Sequence, residues 1–287
     1  MNIAVMGVGL MGRPMAERLK ATGRMVTVYN RTADKVADLP KAGIAVAASP
    51  AEALRAGDCV VVMLADAQAI REVLLAPAAR QELRGRTVIQ MGTIGPRESQ
   101  EFQRVVQAAG GDYLEAPVLG SITEVKEQRL LVMVGGTAAQ FEQWAGLLKA
   151  FGPEPRLIGS VGSAAALKLA LNQLIAAEIA AFSLSLGLVQ REGIAVETFM
   201  DILRQSALFA PAFEKKLPRL LQRAYTDPNF SARHLLKDVD LFLKEAATVG
   251  LNVSSLEGVR PLLGKTVEQG LADVDYSALF EAVNPGK

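Results

Sequence analysis

Short apolar runs alternate with longer amphipathic stretches through the first half of the chain. The predicted strands cover residues 2–6, 25–29, 44–47, 59–64, 87–90, 113–114 and 131–134. Ser49-Pro50, Asp66 and Pro96 each predict the start of a helix, and a short helix is expected over 33–42. Unbroken apolar runs suit strands that are buried on both faces. The alternation therefore predicts a doubly wound α/β domain.

The pattern changes after residue 161. No proline occurs over 162–192, where Gly187 alone interrupts a run rich in Ala and Leu. At a rise of 1.5 Å per residue, this run predicts a helix of roughly 45 Å. The longest apolar stretch of the chain, 157–177, is interrupted by polar residues, which favours a buried helix over a membrane span. No strand pattern follows, so we predict an all-helical domain over 162–287 for substrate binding and oligomerisation.

The first predicted strand leads directly into a glycine motif and then into a helix. The motif, G-x-G-x-x-G, consists of Gly7, Val8, Gly9, Leu10, Met11 and Gly12. Gly7 permits a tight turn, Gly9 lets a pyrophosphate approach the backbone, and Gly12 lets the helix pack on the strand. Gly23 is placed to end that helix. The alternative is a glycine-rich turn of another α/β protein, but the βαβ context favours a Rossmann dinucleotide-binding domain over 1–161.

The end of the second predicted strand bears on the choice of nucleotide. An NAD site usually has an acid there, which binds the ribose 2′-hydroxyl. This chain has Asn30, Arg31 and Thr32 instead. Arg31 can make charge-assisted bonds to a 2′-phosphate, and its two neighbours can add neutral ones. The pattern predicts NADP over NAD; the alternative is a surface loop with an ordinary arginine.

Composition and charge narrow the classes of function. Charged residues make up 21% of the 287 residues and the net charge is +1, so no nucleic-acid partner is expected. Cys59 is the only cysteine, which excludes an intrachain disulfide and suits a reducing cytosol. Since His234 is the only histidine, a His/Cys metal site is not expected. No leader precedes the first strand, so a cytoplasmic protein without membrane contact is expected.

Lys168 is the most informative residue of the predicted long helix. It is the only charged residue between Arg156 and Glu178, and its neighbours are Ala and Leu. Desolvation in a cleft would lower the pKa of this amine. Such a lysine can give a proton to a carbonyl oxygen as hydride arrives. Asn172 shares its helix face. The alternative is a lysine that snorkels to solvent at a helix edge.

Four motifs in order resemble the β-hydroxyacid dehydrogenase family, which includes 3-hydroxyisobutyrate dehydrogenase, tartronate semialdehyde reductase and glyoxylate/succinic semialdehyde reductase. They are the glycine motif, the segment 115–121 (Glu-Ala-Pro-Val-Leu-Gly-Ser), the spacing of Gly162, Lys168 and Asn172, and the pair Lys237-Asp238. The resemblance covers nearly the whole chain. It implies a Rossmann domain, a helical domain joined to it by the long helix, and a homodimer or homotetramer.

The resemblance also implies roles for individual residues. Lys168 would be the acid in reduction and the base in oxidation, Asn172 would place the reacting oxygen, and Asp238 would approach Lys168 across the cleft and stabilise its charge. The residues expected at the cofactor are Gly7, Val8, Gly9, Leu10, Met11, Gly12, Asn30, Arg31, Thr32, Leu64, Thr93 and Lys237. Those expected at the substrate are Leu119, Gly120, Ser121, Lys168, Asn172 and Phe230. His234 matches an aromatic-then-histidine segment of glyoxylate reductases, with a structural role as the alternative.

Three departures from the family pattern concern the substrate more than the reaction. Leu119 replaces a serine, Gly92 replaces another, and the glycine-rich segment after Ser121 becomes 122–129 (Ile-Thr-Glu-Val-Lys-Glu-Gln-Arg). The segment 119–121 is the expected substrate wall, and its backbone N–H groups could still hold a carboxylate. The expected function is NADPH-dependent reduction of a small carboxylate-bearing aldehyde or keto acid, as in the glyoxylate/succinic semialdehyde reductase branch. The alternatives are an imine reductase, which commonly has another residue at the lysine position, and a non-catalytic NADP-binding sensor or scaffold.

Overall fold

A mostly parallel sheet forms the first of two units in the computed structural model, which describes residues 1–286. This unit is Met1–Leu169, and the second begins at Ala170. The strands are β1 (Asn2–Met6), β2 (Met25–Tyr29), β3 (Ala45–Val46), β4 (Cys59–Val62), β5 (Thr87–Gln90), β6 (Asp112–Glu115), β7 (Val118–Leu119), β8 (Leu131–Gly135) and β9 (Arg156–Gly159). They lie in the order β3-β2-β1-β4-β5-β6-β8-β7, with β9 paired to β8. Strands β1 to β6 are parallel in the doubly wound order, which confirms the predicted fold class.

Helices connect the strands of this unit. They are α1 (Gly12–Ala21), α2 (Pro50–Ala56), α3 (Ala67–Leu74), α4 (Pro77–Gln81), α5 (Pro96–Ala108), α6 (Ile122–Lys126) and α7 (Ala138–Leu148). The predicted caps are confirmed, since Ser49 accepts the N–H of Glu52 and Asp66 accepts that of Ala69. Alternate residues of β1 enter different apolar clusters, so the sheet is buried on both faces.

Two local expectations were wrong. The segment 33–42 is not one helix but two 3₁₀ turns, Ala33–Lys35 and Leu39–Ala42. Pro40 explains the break, because in an α-helix it would lack the N–H that bonds the carbonyl of Val36 and its ring would clash with that carbonyl. The apolar stretch 157–177 is not one helix either, since its first residues belong to β9. Gly162, at φ +103°, separates that strand from the long helix.

The long helix α8 (Ser163–Arg191) has 29 residues and runs past the boundary between the two units. The second unit continues with α9 (Val196–Arg204), α10 (Pro211–Gln222), α11 (Ala232–Thr248), α12 (Ser254–Thr266) and α13 (Leu279–Val283). A π-helical segment, Val267–Leu271, and a 3₁₀ turn, Tyr276–Ala278, connect the last two helices. The described part of this unit contains no strand, as predicted.

In the second unit, α8 packs against later elements through aromatic stacking and through a close contact at Gly187. The ring of Phe182 stacks on that of Phe213 with centroids 4.5 Å apart. Gly187 stays within the helix, and a Cβ there would lie 3.2 Å from Cβ of Asn284. Of the described helices, α8 alone is long and apolar enough to cross a membrane. In this structure 44% of its most apolar window is buried, and core helices pass the same test.

Candidate active site

The glycine motif forms a tight loop between β1 and α1. Gly7 has φ +94°, and a Cβ there would lie 2.2 Å from the carbonyl oxygen of Met63. A Cβ on Gly12 would lie 1.8 Å from the carbonyl oxygen of Gly7. In contrast, a Cβ on Gly9 would meet nothing within 4 Å. The chain itself requires two of the glycines, while the open side at Gly9 fits a pyrophosphate that approaches the loop and the start of α1.

Of the polar residues after β2, Asn30 is hydrogen-bonded within the chain and Arg31 is exposed. Oδ1 of Asn30 accepts the N–H of Val8 at 3.0 Å, and Nδ2 donates to the carbonyl of Thr32 at 2.9 Å. Asn30 therefore ties the glycine loop to the end of β2, a role that the sequence did not reveal. The side chain of Arg31 is 83% exposed and lies 3.6 Å from the carboxylate of Glu72. This surface pair is weak, so it leaves the guanidinium free to meet a phosphate.

The loops after β4 and β5 pass close to each other. A Cβ on Gly92 would lie 2.6 Å from the carbonyl oxygen of Leu64, so a serine here would require the backbone to move. The side chain of Gln90 braces the loop, since it accepts the N–H of Gly92 at 2.8 Å and donates to its carbonyl at 2.9 Å. This contact explains one departure from the family pattern. Thr93 follows directly and is half-buried.

The expected substrate wall begins as a strand and ends at a capped helix. Leu119 belongs to β7, which pairs with β8, and Gly120 turns the chain at φ +134°. The N–H of Ser121 donates to Oε2 of Glu124 at 2.7 Å, and its hydroxyl donates to the same oxygen. The N–H of Ser121, one of the backbone groups expected to hold a substrate carboxylate, therefore already binds a carboxylate of the chain, as does its hydroxyl. The sequence signal was a capping box, Ser-x-x-Glu, whose consequence was missed.

Lys168 lies in the second turn of α8 and is only 8% exposed. The start of this helix is held by Glu115, the last residue of β6. Oε1 of Glu115 accepts the N–H groups of Gly162, Ala164 and Ala165 at 2.8, 2.9 and 3.0 Å. Burial raises the pKa of Glu115, while these hydrogen bonds favour its charged form. The sequence motif included this glutamate without revealing what it binds.

In the second unit, two predicted site residues meet directly. Nδ2 of Asn172 donates to Oδ2 of Asp238 at 2.6 Å, and both side chains are buried. Nζ of Lys237 lies 2.9 Å from Oδ1 of Asp238, at an ion-pair distance without the alignment of a hydrogen bond. Oδ1 of Asn172 has no hydrogen-bond partner among the described residues. A buried acceptor left in this state marks a place for a ligand group.

The other two candidates of this unit have structural contacts. The ring of Phe230 packs edge-on against that of Tyr276, with centroids 5.8 Å apart. Nδ1 of His234 lies 2.7 Å from Oγ of Ser231, which caps α11 by accepting the backbone N–H of His234. Burial and the charge of Lys237 lower the pKa of His234. These contacts support the structural alternative for His234.

Both units match known protein families. Residues 2–162 match the NAD-binding domain of 6-phosphogluconate dehydrogenase, and residues 162–283 match the model described as NAD-binding of NADP-dependent 3-hydroxyisobutyrate dehydrogenase. Glyoxylate/succinic semialdehyde reductase 1 of Arabidopsis thaliana is 30% identical over 99% of this chain and 98% of its own length. The 2-hydroxy-3-oxopropionate reductase of Escherichia coli K12 is also 30% identical, over 99% and 97%.

A solved structure agrees with these matches in fold. The 3-hydroxyisobutyrate dehydrogenase of Salmonella typhimurium superposes with a TM-score of 0.88 at 23% identity, covering 98% of this chain and 99% of the other. The agreement extends over nearly the whole length of both chains, as it does for the sequence relatives. This protein belongs to the 3-hydroxyisobutyrate dehydrogenase family, β-hydroxyacid dehydrogenases that act on CH–OH groups with NAD(P).

Proposed function

We propose that this protein reduces a small carboxylate-bearing aldehyde or keto acid with NADPH. The observation that carries the proposal is Lys168, a buried cation among apolar neighbours on the helix where the family pattern expects its proton donor. The relatives named for reduction of glyoxylate, succinic semialdehyde and 2-hydroxy-3-oxopropionate supply the candidate substrates. All three are short carbonyl compounds with a carboxylate.

Proton transfer is the step assigned to Lys168. The reduced nicotinamide, when bound, supplies the hydride to the carbonyl carbon. Lys168 then donates a proton to the carbonyl oxygen, which becomes the hydroxyl of the product. The unpartnered Oδ1 of Asn172 accepts a hydrogen bond from that hydroxyl. Asp238 holds the amide of Asn172 from the other side, so the orientation of this acceptor is fixed before substrate binds.

The cofactor proposal is NADP rather than NAD. It is supported by the lack of an acid at the end of β2 and by the exposed Arg31, which can bond a 2′-phosphate. The measurement is kcat/KM with NADPH and with NADH for one carbonyl substrate. We expect NADPH to be favoured and Arg31→Ala to reduce that preference. A wild-type preference for NADH would overturn this proposal.

The experiment for the whole proposal is NADPH oxidation with glyoxylate, succinic semialdehyde and tartronate semialdehyde. Lys168→Ala should abolish turnover and leave NADPH affinity nearly unchanged, because the amine acts on substrate rather than on the nucleotide. Lys265→Ala is the matched control, since Lys265 is an exposed lysine in helix α12. Unchanged kcat in Lys168→Ala would refute the mechanism. Tight NADPH binding without turnover on any carbonyl would favour the sensor or scaffold.

Imine reduction is the second candidate, favoured by two features of the substrate wall. Leu119 makes the wall less polar, and Glu124 already occupies the donors of Ser121. Turnover of a cyclic imine, with none of the three aldehydes reduced, would decide for this reaction.

We also propose that the protein is a homodimer or homotetramer. Leu174, Leu184 and Leu188 of α8 are exposed, at 48, 66 and 62%. Small residues between them, such as Ala177 and Ala181, permit close approach of a second helix. Light scattering at micromolar concentration tests this, and a monomer would contradict it.

A further inference from the structure

The side chain of Glu115 is tightly packed in a buried position next to the start of α8. Its Oε2 accepts the hydroxyl of Ser99, and that hydroxyl lies 2.8 Å from the phenol oxygen of Tyr113. A Cβ on Gly135 would lie 2.4 Å from Oε1 of Glu115. All four of these side chains or backbone positions are buried. The carboxylate therefore has one position in this structure, fixed from two strands and from helix α5.

The three N–H groups that Glu115 binds are donors that a helix cannot satisfy by itself. The first N–H groups of a helix lack an intrahelical partner, and its N-terminus favours negative charge. The first intrahelical bond of α8 runs from the N–H of Ala166 to the carbonyl of Gly162 at 3.0 Å. Any other residue at position 162 would be strained, because φ there is +103° and a Cβ would lie 2.7 Å from Nε2 of Gln100. The beginning of the helix is thus located by one carboxylate oxygen.

Lys168 follows Ala165 by three residues, which places it roughly 4.5 Å further along the helix axis. The contacts that fix the first turn therefore also fix the axial position and rotation of the lysine. We infer that Glu115 is a positioning residue for Lys168, acting through the start of α8 without touching the substrate. The inference rests on the proposed role of Lys168 as proton donor.

The decisive variant is Glu115→Gln, which keeps the shape of the side chain and removes its charge. Because a misplacement of about 1 Å can cost roughly 100-fold in rate, we expect kcat to fall about 10- to 100-fold. The Kd for NADPH, measured by fluorescence titration, should stay within roughly twofold, since the nucleotide loop is not altered. The pH profile of kcat should also shift, because the surroundings of the lysine amine change.

Ser99→Ala is the matched control. It removes the hydroxyl from the same buried carboxylate and leaves all three helix N–H bonds in place. It should lower Tm as Glu115→Gln does, yet keep kcat within roughly twofold of the wild type. If Glu115→Gln does not fold, Glu115→Asp replaces it: this variant keeps the charge, but its shorter side chain cannot reach all three donors. For Glu115→Asp we expect kcat to fall about 10-fold.

The outcomes separate the inference from the proposed function. A kcat and pH profile like those of the wild type in Glu115→Gln, or in Glu115→Asp where that is used, would overturn the positioning role even if Tm falls. A kcat loss in Ser99→Ala as large as in Glu115→Gln would overturn it as well. If the wild type reduces no carbonyl, or Lys168→Ala keeps its kcat, the proposed function fails first and the Glu115 inference falls with it.

Discussion

Each unit buries a carboxylate, and the two are compensated in different ways. In the first unit Glu115 is bound by backbone N–H groups and a hydroxyl. In the second, both oxygens of Asp275 bind Nζ of Lys216, at 2.8 and 2.7 Å, and that ammonium lies 4.2 Å from the ring centroid of Tyr276. Burial opposes charge in both places, since it raises the pKa of Glu115 and lowers that of Lys216.

The difference indicates what each carboxylate is for. The ion pair of Asp275 and Lys216 joins α10 to the 3₁₀ turn after α12, so loss of the pair would weaken the packing of the second unit. The N–H groups bound to Glu115 belong to one end of one helix, so loss of the Glu115 carboxylate would change the position of that helix. We therefore expect variants of the ion pair to change mainly stability, and variants that disturb the bonds between Glu115 and the helix N–H groups to change catalysis as well.

Lys216→Met should have the largest effect on stability. Removing one partner of a buried ion pair leaves the other charge uncompensated and costs about 3–5 kcal/mol. Urea unfolding measures the change in the free energy of unfolding. Adding Asp275→Leu should recover part of the loss, because the isolated charge is then removed. A loss below about 1 kcal/mol would place this pair with exposed ion pairs and break the comparison.

Gly135→Ala tests the first unit without changing a charge. The new Cβ must displace Oε1 of Glu115, and overpacking of this kind costs about 1–3 kcal/mol. We expect kcat to fall together with stability. Gly258→Ala is the control, because a Cβ on this helical glycine meets nothing within 4 Å and should stabilise by up to about 1 kcal/mol. If Gly135→Ala has the kcat of the wild type, the position of the Glu115 carboxylate does not affect catalysis.

Glu124→Gln extends the comparison to a half-buried acid that binds one N–H and one hydroxyl. Removing its charge reduces the repulsion of a substrate carboxylate, while the amide oxygen can still accept from Ser121, so we expect KM for succinic semialdehyde to fall roughly 10-fold. Glu52→Gln is the control, since Glu52 has the same Ser-x-x-Glu spacing at the start of α2 but accepts the N–H of Ala48. An equal KM for both variants would show that Glu124 does not select substrates.

Arg204→Ala should have the smallest effect. Its guanidinium pairs with Glu197, Asp201 and Glu214, three mostly exposed acids. Exposed pairs contribute about 0–1 kcal/mol and are screened by salt. We expect only a small loss in unfolding free energy, which shrinks as salt is added. A loss as large as that of Lys216→Met would show that burial does not separate the two kinds of pair.

The sequence predicted the features that depend on near neighbours in the chain. The caps at Ser49 and Asp66 bind N–H groups three residues away, and the glycine motif reads directly as a loop. The 29-residue helix follows from a long run without proline. The prediction of one helix over 33–42 was wrong for a local reason that the sequence already contained, namely Pro40.

Contacts between distant residues could not be predicted in the same way. Glu115 binds N–H groups 47 to 50 positions away, and Lys216 and Asp275 are 59 positions apart. Asn30 is predicted as a phosphate ligand because it stands at the end of the second strand, whereas its polar atoms bond the glycine loop and the carbonyl of Thr32. Periodicity reports which face of an element is apolar and carries no information about which distant group will meet a polar side chain.

The unequal freedom of the three motif glycines bears on cofactor engineering. Gly7 and Gly12 are closed to any side chain by the backbone itself, and Asn30 is committed to the N–H of Val8. Directed evolution toward a different nucleotide would therefore find its tolerated changes at Arg31 and Thr32, which are exposed. Arg31 has a weak surface pair with Glu72, and Thr32 bonds Asn30 through its backbone carbonyl, which any substitution keeps. A library restricted to those two codons would sample most of the accessible specificity with little risk to folding.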